Sequence, residues 1–168
     1  MSSLEIRKLT GEDAESYRTL RLEALLKNPE SFSSSFEDEN GNEAAHYRER
    51  LENALTYTFG AFDEDQLVGV VTLVPEGKVK LKHKANIFAM YVTPSQRIRG
   101  IGKALVKTAI QQATQLNSVE QIHLTVTSSN EPAKKLYASL GFKAYGIEKN
   151  AMRIEGTYYD DNLMVLFL

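Results

Sequence analysis

The sequence predicts a single α/β domain, and three observations support this fold class. The chain has 168 residues, 42% of them hydrophobic, which suits one buried core and is too short for two ordinary domains. Runs that alternate apolar and polar residues indicate strands, and longer runs with apolar residues every three or four positions indicate helices. These runs give seven strands and four helices in chain order, without repeats or low-complexity tracts. We therefore expect one domain over residues 1–168.

The N-terminal part predicts one strand and two helices. Residues 4–9, "LEIRKL", mix apolar and charged side chains and indicate the first strand. A helix follows, because Thr10 and Asp13 form a variant of the capping box and leucines line one face until a proline ends the pattern. Residues 30–42 are an acidic, serine-rich loop with two phenylalanines, and residues 43–55 predict the second helix. Aromatic side chains on a loop usually cover something.

The middle of the chain predicts a hairpin and a buried strand. Two apolar, β-branched runs between residues 55 and 77 are divided by Asp63, Glu64 and Asp65, which is typical of an antiparallel hairpin. The next strand, residues 86–92, is apolar almost throughout, so we expect both of its faces to be buried.

The C-terminal half predicts helices that alternate with strands. Residues 100–116 have apolar side chains at helical spacing, and residues 121–126 alternate as a strand does. Residues 130–140 predict a helix that Gly141 closes at its C-terminal cap. Residues 142–150 and 158–168 predict two last strands.

Composition excludes several functional classes. Twenty basic and 22 acidic residues give a net charge of -2, so no overall field recruits nucleic acid or an anionic membrane. The absence of cysteine excludes disulfides and thiolate catalysis, and the three histidines, His46, His83 and His123, lack metal-ligand spacing. No apolar run approaches the roughly 18 residues of a membrane span. We expect a cytoplasmic protein that needs no metal and binds neither nucleic acid nor membrane.

The stretch "QRIRGIGKAL", residues 96–105, places cations where a helix begins. Arg97, Arg99 and Lys103 surround the first turn, although the positive end of the helix dipole disfavours cations there. The segment 77–119 has eight basic residues and no acidic one. Glycines and a basic helix N-terminus together favour a polyanion, most naturally a phosphate.

Two common nucleotide motifs do not fit this stretch. The P-loop has glycines five positions apart and Lys followed by Ser or Thr, whereas here the glycines are two apart and Ala104 follows the lysine. The Rossmann fingerprint requires a third glycine at position 105, which is leucine.

The segment 97–102, "RIRGIG", resembles the R/Q-x-x-G-x-G/A signature of the GNAT superfamily of acetyl-CoA-dependent N-acyltransferases. About 30 residues later, "NEPAKKLYASLGF" resembles the second motif of that family, and the order of predicted elements is similar to the GNAT fold along nearly the whole chain. The resemblance implies a mixed, mostly antiparallel sheet of six to seven strands with about four flanking helices. It also implies that the fourth and fifth strands splay apart.

The resemblance further implies that acetyl-CoA, as cosubstrate, lies across the sheet with its pyrophosphate on the helix start and its pantetheine along the fourth strand. Tyr137 is then the general acid that protonates the leaving sulfur. The implied cofactor-binding residues are Met90, Tyr91, Val92, Arg97, Ile98, Arg99, Gly100, Ile101, Gly102, Lys103, Asn130 and Tyr137. Asn130 has an equally good interpretation as a helix cap.

The sequence does not identify the general base or the acceptor amine. Glu37 is the candidate base that we select, and Glu39, Asp160, Asp161 and Tyr159 also lie in segments that border the acceptor site by resemblance. The acidity of these segments favours a cationic amine, either a small molecule or a protein amine.

Two other functions stay open at this point. A non-catalytic acyl-CoA sensor would share the phosphate-binding features but would need neither Tyr137 nor an acceptor slot. A nucleic-acid surface at Lys78, Lys80, Lys82 and Lys84 is less favoured, because no aromatic residue interleaves with them and their alternation is typical of a solvated ribbon. A monomer and a homodimer are both compatible with the sequence.

Overall fold

A computed structural model describes residues 3–168. The described part of the chain forms one seven-stranded sheet with strand order β1-β2-β3-β4-β5-β7-β6. Its strands are β1 (Leu4–Lys8), β2 (Tyr57–Asp63), β3 (Gln66–Pro75), β4 (Lys84–Val92), β5 (Gln121–Thr127), β6 (Lys143–Ile154) and β7 (Thr157–Phe167). Its α-helices are α1 (Ala14–Lys27), α2 (Phe36–Glu39), α3 (Ala44–Glu52), α4 (Ile101–Thr114) and α5 (Glu131–Ser139). Short 3₁₀ turns occupy several connections.

The predicted fold class is confirmed. Every neighbouring pair of strands is antiparallel except β4 and β5, which run parallel. Helix α4 covers one face of the sheet together with α5, while α1 and α3 cover the other face. The two cores are separate clusters, and the sheet lies between them.

Local signals in the sequence explain several turns. Thr10 and Asp13 form the predicted capping box, which opens a 3₁₀ turn that leads into α1. Glu64 and Asp65 both have positive φ, 49° and 70°, as a two-residue hairpin turn requires. Gly141 has φ of 99° just after α5, where a side chain would be strained.

Two segments differ from the sequence-based expectation. The loop at residues 30–42 contains a short helix, α2, because Ser35 and Asp38 form a second capping box there. The lysine-rich segment is not a strand ribbon, since Val79–Leu81 form a 3₁₀ turn and β4 begins only at Lys84. Alternation of lysines with apolar residues therefore gave the wrong local structure at this point.

The parallel pairing of β4 and β5 is short. It spans only Lys84↔Gln121 to Asn86↔His123, after which the two strands have no further paired residues. Along the other edge of β4 the register with β3 shifts between Val70 and Thr72, which marks a β-bulge. Ala89 lies in this bulge with φ of 56°, a left-handed conformation that is uncommon for residues other than glycine. The divergence of β4 from β5 agrees with the predicted splay.

Candidate active site

The divergence of β4 and β5 opens a cavity of about 1170 Å³. One part of its wall comes from the C-terminal halves of these two strands, Phe88–Val92 and Leu124–Thr127. The first turn of α4 and one side of α5 close it on one face of the sheet, and residues of α1, α3 and the segment between α1 and α2 line it on the other. The cavity therefore passes from one face of the sheet to the other.

The start of α4 presents unpaired backbone donors to this cavity. Gly100 precedes the helix in a left-handed conformation, with φ of 76°, and has no side chain to cap the helix. The first intrahelical bond runs from Ala104 N–H to Gly100 O, at 3.1 Å. The N–H groups of Ile101, Gly102 and Lys103 therefore have no carbonyl one turn earlier inside the helix. No acidic residue lies in the first turn, so this end suits an anion.

The basic residues at this end have different positions. Arg97 lines the cavity and is held by donating to Val92 O at 2.9 Å and to Asn28 Oδ1 at 2.6 Å. Lys103 lines the cavity with an exposed side chain. Arg99 instead pairs with Asp63 at 2.8 Å, and neither residue lines the cavity.

The structure brings most of the expected binding residues together. The cavity is lined by Met90, Tyr91, Val92, Arg97, Gly100, Gly102, Lys103, Asn130 and Tyr137. Ile98, Arg99 and Ile101 do not line it: Ile98 is fully exposed, and Ile101 is fully buried in the core. The side chain of Ile98 therefore faces solvent, and that of Ile101 packs α4 against the core.

Gly102 is constrained by packing as well as by its place in the wall. A Cβ atom there would lie 3.2 Å from both Met90 Cε and Leu136 Cδ1. A larger side chain would therefore have to displace the ends of the Met90 and Leu136 side chains, whatever the ligand does. At Gly100 no atom would lie within 4 Å of a Cβ, so its requirement for glycine comes from its positive φ.

Tyr137 lies on α5 with its side chain almost fully buried against the core. Its ring packs edge-on against Phe142, with ring centroids 5.9 Å apart. The hydroxyl forms no hydrogen bond with residues 3–168. It is not fully enclosed by the protein, and Tyr137 lines the cavity. Burial raises the pKa of Tyr137 to about 12, so the phenol keeps its proton at neutral pH. The group is a proton donor that faces the cavity.

Asn130 caps α5, which is one of the two roles that the sequence allowed for it. Its Oδ1 accepts from Ala133 N–H at 3.2 Å, and the residue also lines the cavity. Tyr91 contributes to the wall, but its hydroxyl points toward α1 and donates to Glu23 at 2.7 Å. Thr93 donates to the same carboxylate at 2.8 Å, so Glu23 ties α1 to the end of β4. The sequence gave no signal for this link, because the partners are about 70 positions apart.

The two glutamates of α2 have different environments. Glu37 is exposed, and the cavity wall does not include it, so its position does not favour the role of base. Glu39 is buried and accepts from Arg21 Nη2 at 2.8 Å and from Tyr47 Oη at 2.9 Å. Burial raises the pKa of Glu39, but the hydrogen bonds and charge of Arg21 outweigh it and hold that pKa below its ordinary value. Glu39 is therefore an ionised structural partner of Arg21.

Asp161 is the acidic residue of the second border segment that reaches the cavity. It pairs with Thr127 of β5 and with Glu148 of β6, and paired residues share one face of a sheet. The hydroxyl of Thr127 donates to Glu30 O at 2.7 Å, which places this face on the α1 side. Asp161 and Glu148 both line the cavity, and neither has a hydrogen bond or ion pair from its side chain among residues 3–168.

The pKa values of the two neighbouring aspartates are shifted in opposite directions. Burial, and then the negative charges of Glu148 and Asp160, raise the pKa of Asp161 above its ordinary value. Asp160 has a lowered pKa, because Asn150 N–H and the Lys149 ammonium donate to it. Asp160 and Tyr159 do not line the cavity. The sequence named Asp161 among its candidates but missed Glu148, whose place depends on strand register.

Among residues 3–168, no group of three or more His, Cys, Asp or Glu side chains is arranged to hold a metal ion. Within the same range, every helix is too short or too polar to cross a membrane.

Comparison with known proteins gives consistent results. Residues 19–142 match the model of the acetyltransferase (GNAT) family. The L-amino acid N-acetyltransferase AaaT of Escherichia coli strain K12 is 26% identical over 162 residues, which cover 95% of each chain. The GNAT-family acetyltransferase of Streptococcus pneumoniae has the same fold, with a TM-score of 0.91 and 22% identity over 99% of this chain and all of that one. The structure of yncA from Salmonella typhimurium, solved with its cofactor acetyl-CoA, gives a TM-score of 0.83 at 18% identity, covering 98% and 94% of the two chains.

Because Glu39 pairs with Arg21 and Glu37 is exposed, we expect substitution of Glu39 to destabilise the fold more than substitution of Glu37. Glu39→Gln leaves a buried guanidinium without its counter-charge and should lower the free energy of unfolding by about 3 kcal/mol at pH 7. Glu37→Gln, the matched exposed control, should change it by less than about 0.5 kcal/mol. Urea titrations of both variants measure this difference.

The difference in stability between the wild type and Glu39→Gln should also depend on pH. Because the pKa of Glu39 is lowered on folding, its stabilisation is present above the pKa of the unfolded chain and is lost as pH falls through the folded pKa. The difference in the free energy of unfolding between the wild type and Glu39→Gln should therefore become smaller below about pH 4.5. Equal stabilities of the two variants at pH 7 would contradict the structural role of Glu39.

Proposed function

The chain belongs to the GNAT family of acetyltransferases, and on that premise we propose that it is an acetyl-CoA-dependent N-acetyltransferase. It transfers the acetyl group directly to a primary amine while both substrates are bound. The observation that carries this proposal is the position of two groups on one cavity: the uncapped, basic start of α4 and the unpartnered hydroxyl of Tyr137. The first suits the phosphates of acetyl-CoA, and the second suits its leaving sulfur.

The start of α4 is the proposed pyrophosphate site. Backbone N–H groups of the segment 97–103 donate to the phosphate oxygens, and the helix dipole adds a favourable field. Arg97 and Lys103 supply positive charge at the same end of the cavity. The backbone of Met90 to Val92 lies where the pantetheine arm can pair as an added strand, since β5 has already diverged there. The yncA structure, which has the same fold, contains acetyl-CoA, and this supports acetyl-CoA as the ligand.

The β4 bulge is the proposed site of acyl transfer. Backbone groups of Ala89 and Met90 lie outside the regular ladder with β3 and beyond the last pair with β5. An N–H group there can donate to the carbonyl oxygen as negative charge develops on it. Tyr137 reaches the same gap from α5 and keeps its proton until the sulfur becomes basic enough to take it.

Asp161 is the proposed proton acceptor, in place of Glu37. It lines the acceptor side of the cavity, and its raised pKa brings it closer to the range in which a carboxylate works as a general base near neutral pH. The neighbouring carboxylate of Glu148 adds negative charge that attracts an ammonium group.

The proposed reaction balances without another reactant. Asp161 takes one proton from the bound ammonium, which leaves a neutral amine. The amine nitrogen forms a bond to the carbonyl carbon, the C–S bond breaks, and its electron pair stays on sulfur. Tyr137 gives its proton to the sulfur, and the second proton lost by the nitrogen restores the phenol through solvent. Asp161 then releases its proton to solvent, so the products are the N-acetyl amine, coenzyme A and one proton.

Tyr137→Phe tests the general acid and should act on turnover. Phenylalanine keeps the ring contact with Phe142 but removes the proton donor, so kcat should fall by roughly 10²-fold or more. The dissociation constant of coenzyme A should change by less than about threefold, because the hydroxyl acts mainly on charge that develops in the transition state. Thiol release with acetyl-CoA over an amine panel gives kcat, and calorimetry gives the affinity.

Tyr158→Phe is the control for this change, because Tyr158 is exposed and lies outside the cavity wall. An unchanged single-turnover rate in Tyr137→Phe would show that Tyr137 only packs. If coenzyme A binds and no amine is acetylated, the protein is a sensor rather than an enzyme.

Asp161→Asn tests the base and should alter the pH profile. In the wild type kcat/KM should decline at low pH, with an apparent pKa above the roughly 3.9 of an ordinary aspartate, as the carboxylate becomes protonated. Asp161→Asn should lower kcat/KM by about 10²-fold and remove that acidic limb. Asp160→Asn, one residue away and outside the cavity wall, should keep both the limb and most of the activity. A retained acidic limb in Asp161→Asn would assign the base elsewhere.

A further inference from the structure

The α1 and α3 side of the cavity carries more positive charge than its structural ion pair requires. Arg21 and Arg50 both line the cavity there. They share one carboxylate, that of Glu39, which lies 2.8 Å from Arg21 Nη2 and 3.8 Å from Arg50 Nη1. Two guanidinium groups with one carboxylate leave one net positive charge in this cluster.

Arg21 has a donor that the protein does not use. Its side chain is about nine-tenths buried, with 10% exposed, and its guanidinium lies 5.1 Å from the ring centre of Phe32. Nε and Nη2 donate to Glu39, whereas Nη1 has no hydrogen-bond partner in the part of the chain that the structure describes. Because Nη1 is not among the fully enclosed unpaired polar atoms of residues 3–168, it is accessible from the cavity that Arg21 lines and can donate to an acceptor bound there.

Arg50 is the more adaptable of the two. Its side chain is 45% exposed and only loosely paired with Glu39, so it can turn toward a ligand at little cost to the fold. Arginine binds a carboxylate through two parallel hydrogen bonds, which few other side chains can provide.

The acidic residues lie on a different part of the acceptor side. Asp161 and Glu148 face the cavity from β7 and β6, and Glu30 lines it beside them. The sequence favoured a cationic acceptor because the loop at residues 30–42 is acidic. Two of its glutamates add no net negative charge to the cavity wall, because Glu37 lies outside the wall and the charge of Glu39 is balanced by Arg21. The acceptor side thus offers a negative region for an amine and a positive region for an anion.

We propose that the acceptor is a free α-amino acid, whose carboxylate is bound by Arg50 and Arg21 while its amine faces Asp161. This assignment rests on the proposed function and names the substrate class of that site. A peptide N-terminus has an amide where the amino acid has its carboxylate, so it leaves the net positive charge of the arginine cluster unmatched. Arg50 is then a specificity-determining residue that selects acceptors with a free carboxylate.

The test compares each of a panel of L-amino acids with its own α-carboxamide, using acetyl-CoA and measuring kcat/KM for both. The wild type should prefer the acids by roughly 10-fold to 100-fold, since a charge-assisted bidentate contact is lost in the amides. Amine reactivity cannot produce this preference, because the amine of the carboxamide is less basic and more of it is neutral.

Arg50→Gln should reduce the acid-to-amide ratio to near one. Arg48→Gln is the matched control, since Arg48 lies on the same helix, pairs with Glu52 and is outside the cavity wall, and it should keep the wild-type ratio. Circular dichroism shows that both variants are folded.

Each remaining outcome decides the proposal. If the wild type acetylates amides or peptides as well as acids, the amino-acid assignment is overturned while the acetyltransferase function stands. If the ratio survives in Arg50→Gln, the carboxylate is bound elsewhere. If no amine of any kind is acetylated although coenzyme A binds, the proposed function and this assignment both fail.

Discussion

The bulge in β4 determines where the sheet opens, and the cavity depends on that opening. Parallel pairing with β5 stops at Asn86↔His123, and three residues later Ala89 adopts φ of 56°. A left-handed residue other than glycine costs on the order of 1–3 kcal/mol, so the surrounding structure must hold it in place. Ile87 on one side and Tyr91 and Val92 on the other are buried in the two cores, and this packing fixes the strand on both sides of the bulge.

Because the opening passes through the sheet, the two faces can serve different substrates. The α4 and α5 face has the uncapped helix start and the Tyr137 phenol, which are suited to phosphate and to sulfur. The α1 and α3 face has charged side chains of both signs, which are suited to a polar acceptor. Glu23 links α1 to the end of β4 through Tyr91 and Thr93, so the acceptor face is held in position relative to the bulge.

Features that depend on local sequence were predictable. The capping box at Thr10, the hairpin turn at Glu64 and Asp65, and the basic glycine-containing start of α4 are each encoded within a few residues. Resemblance to a known family then supplied the splay and the role of Tyr137, which no local pattern specifies. The role of Tyr137 stays a prediction until turnover is measured.

Features that depend on long-range packing were not predictable. Glu39 resembled a free acid in an acidic loop, but Arg21, 18 positions earlier, neutralises it. Glu148 reaches the cavity only through its register with Asp161, and two arginines on separate helices meet at one carboxylate. The lysine-rich segment shows the opposite case, in which a clear alternation predicted a ribbon where the chain forms a 3₁₀ turn.

A crystal structure with bound coenzyme A would locate both ends of the ligand at once. We expect pyrophosphate oxygens within about 3.2 Å of backbone nitrogens at the start of α4, and the sulfur within hydrogen-bond reach of the Tyr137 hydroxyl. A pyrophosphate bound away from Gly100 to Lys103, or a sulfur outside the gap between β4 and β5, would contradict it.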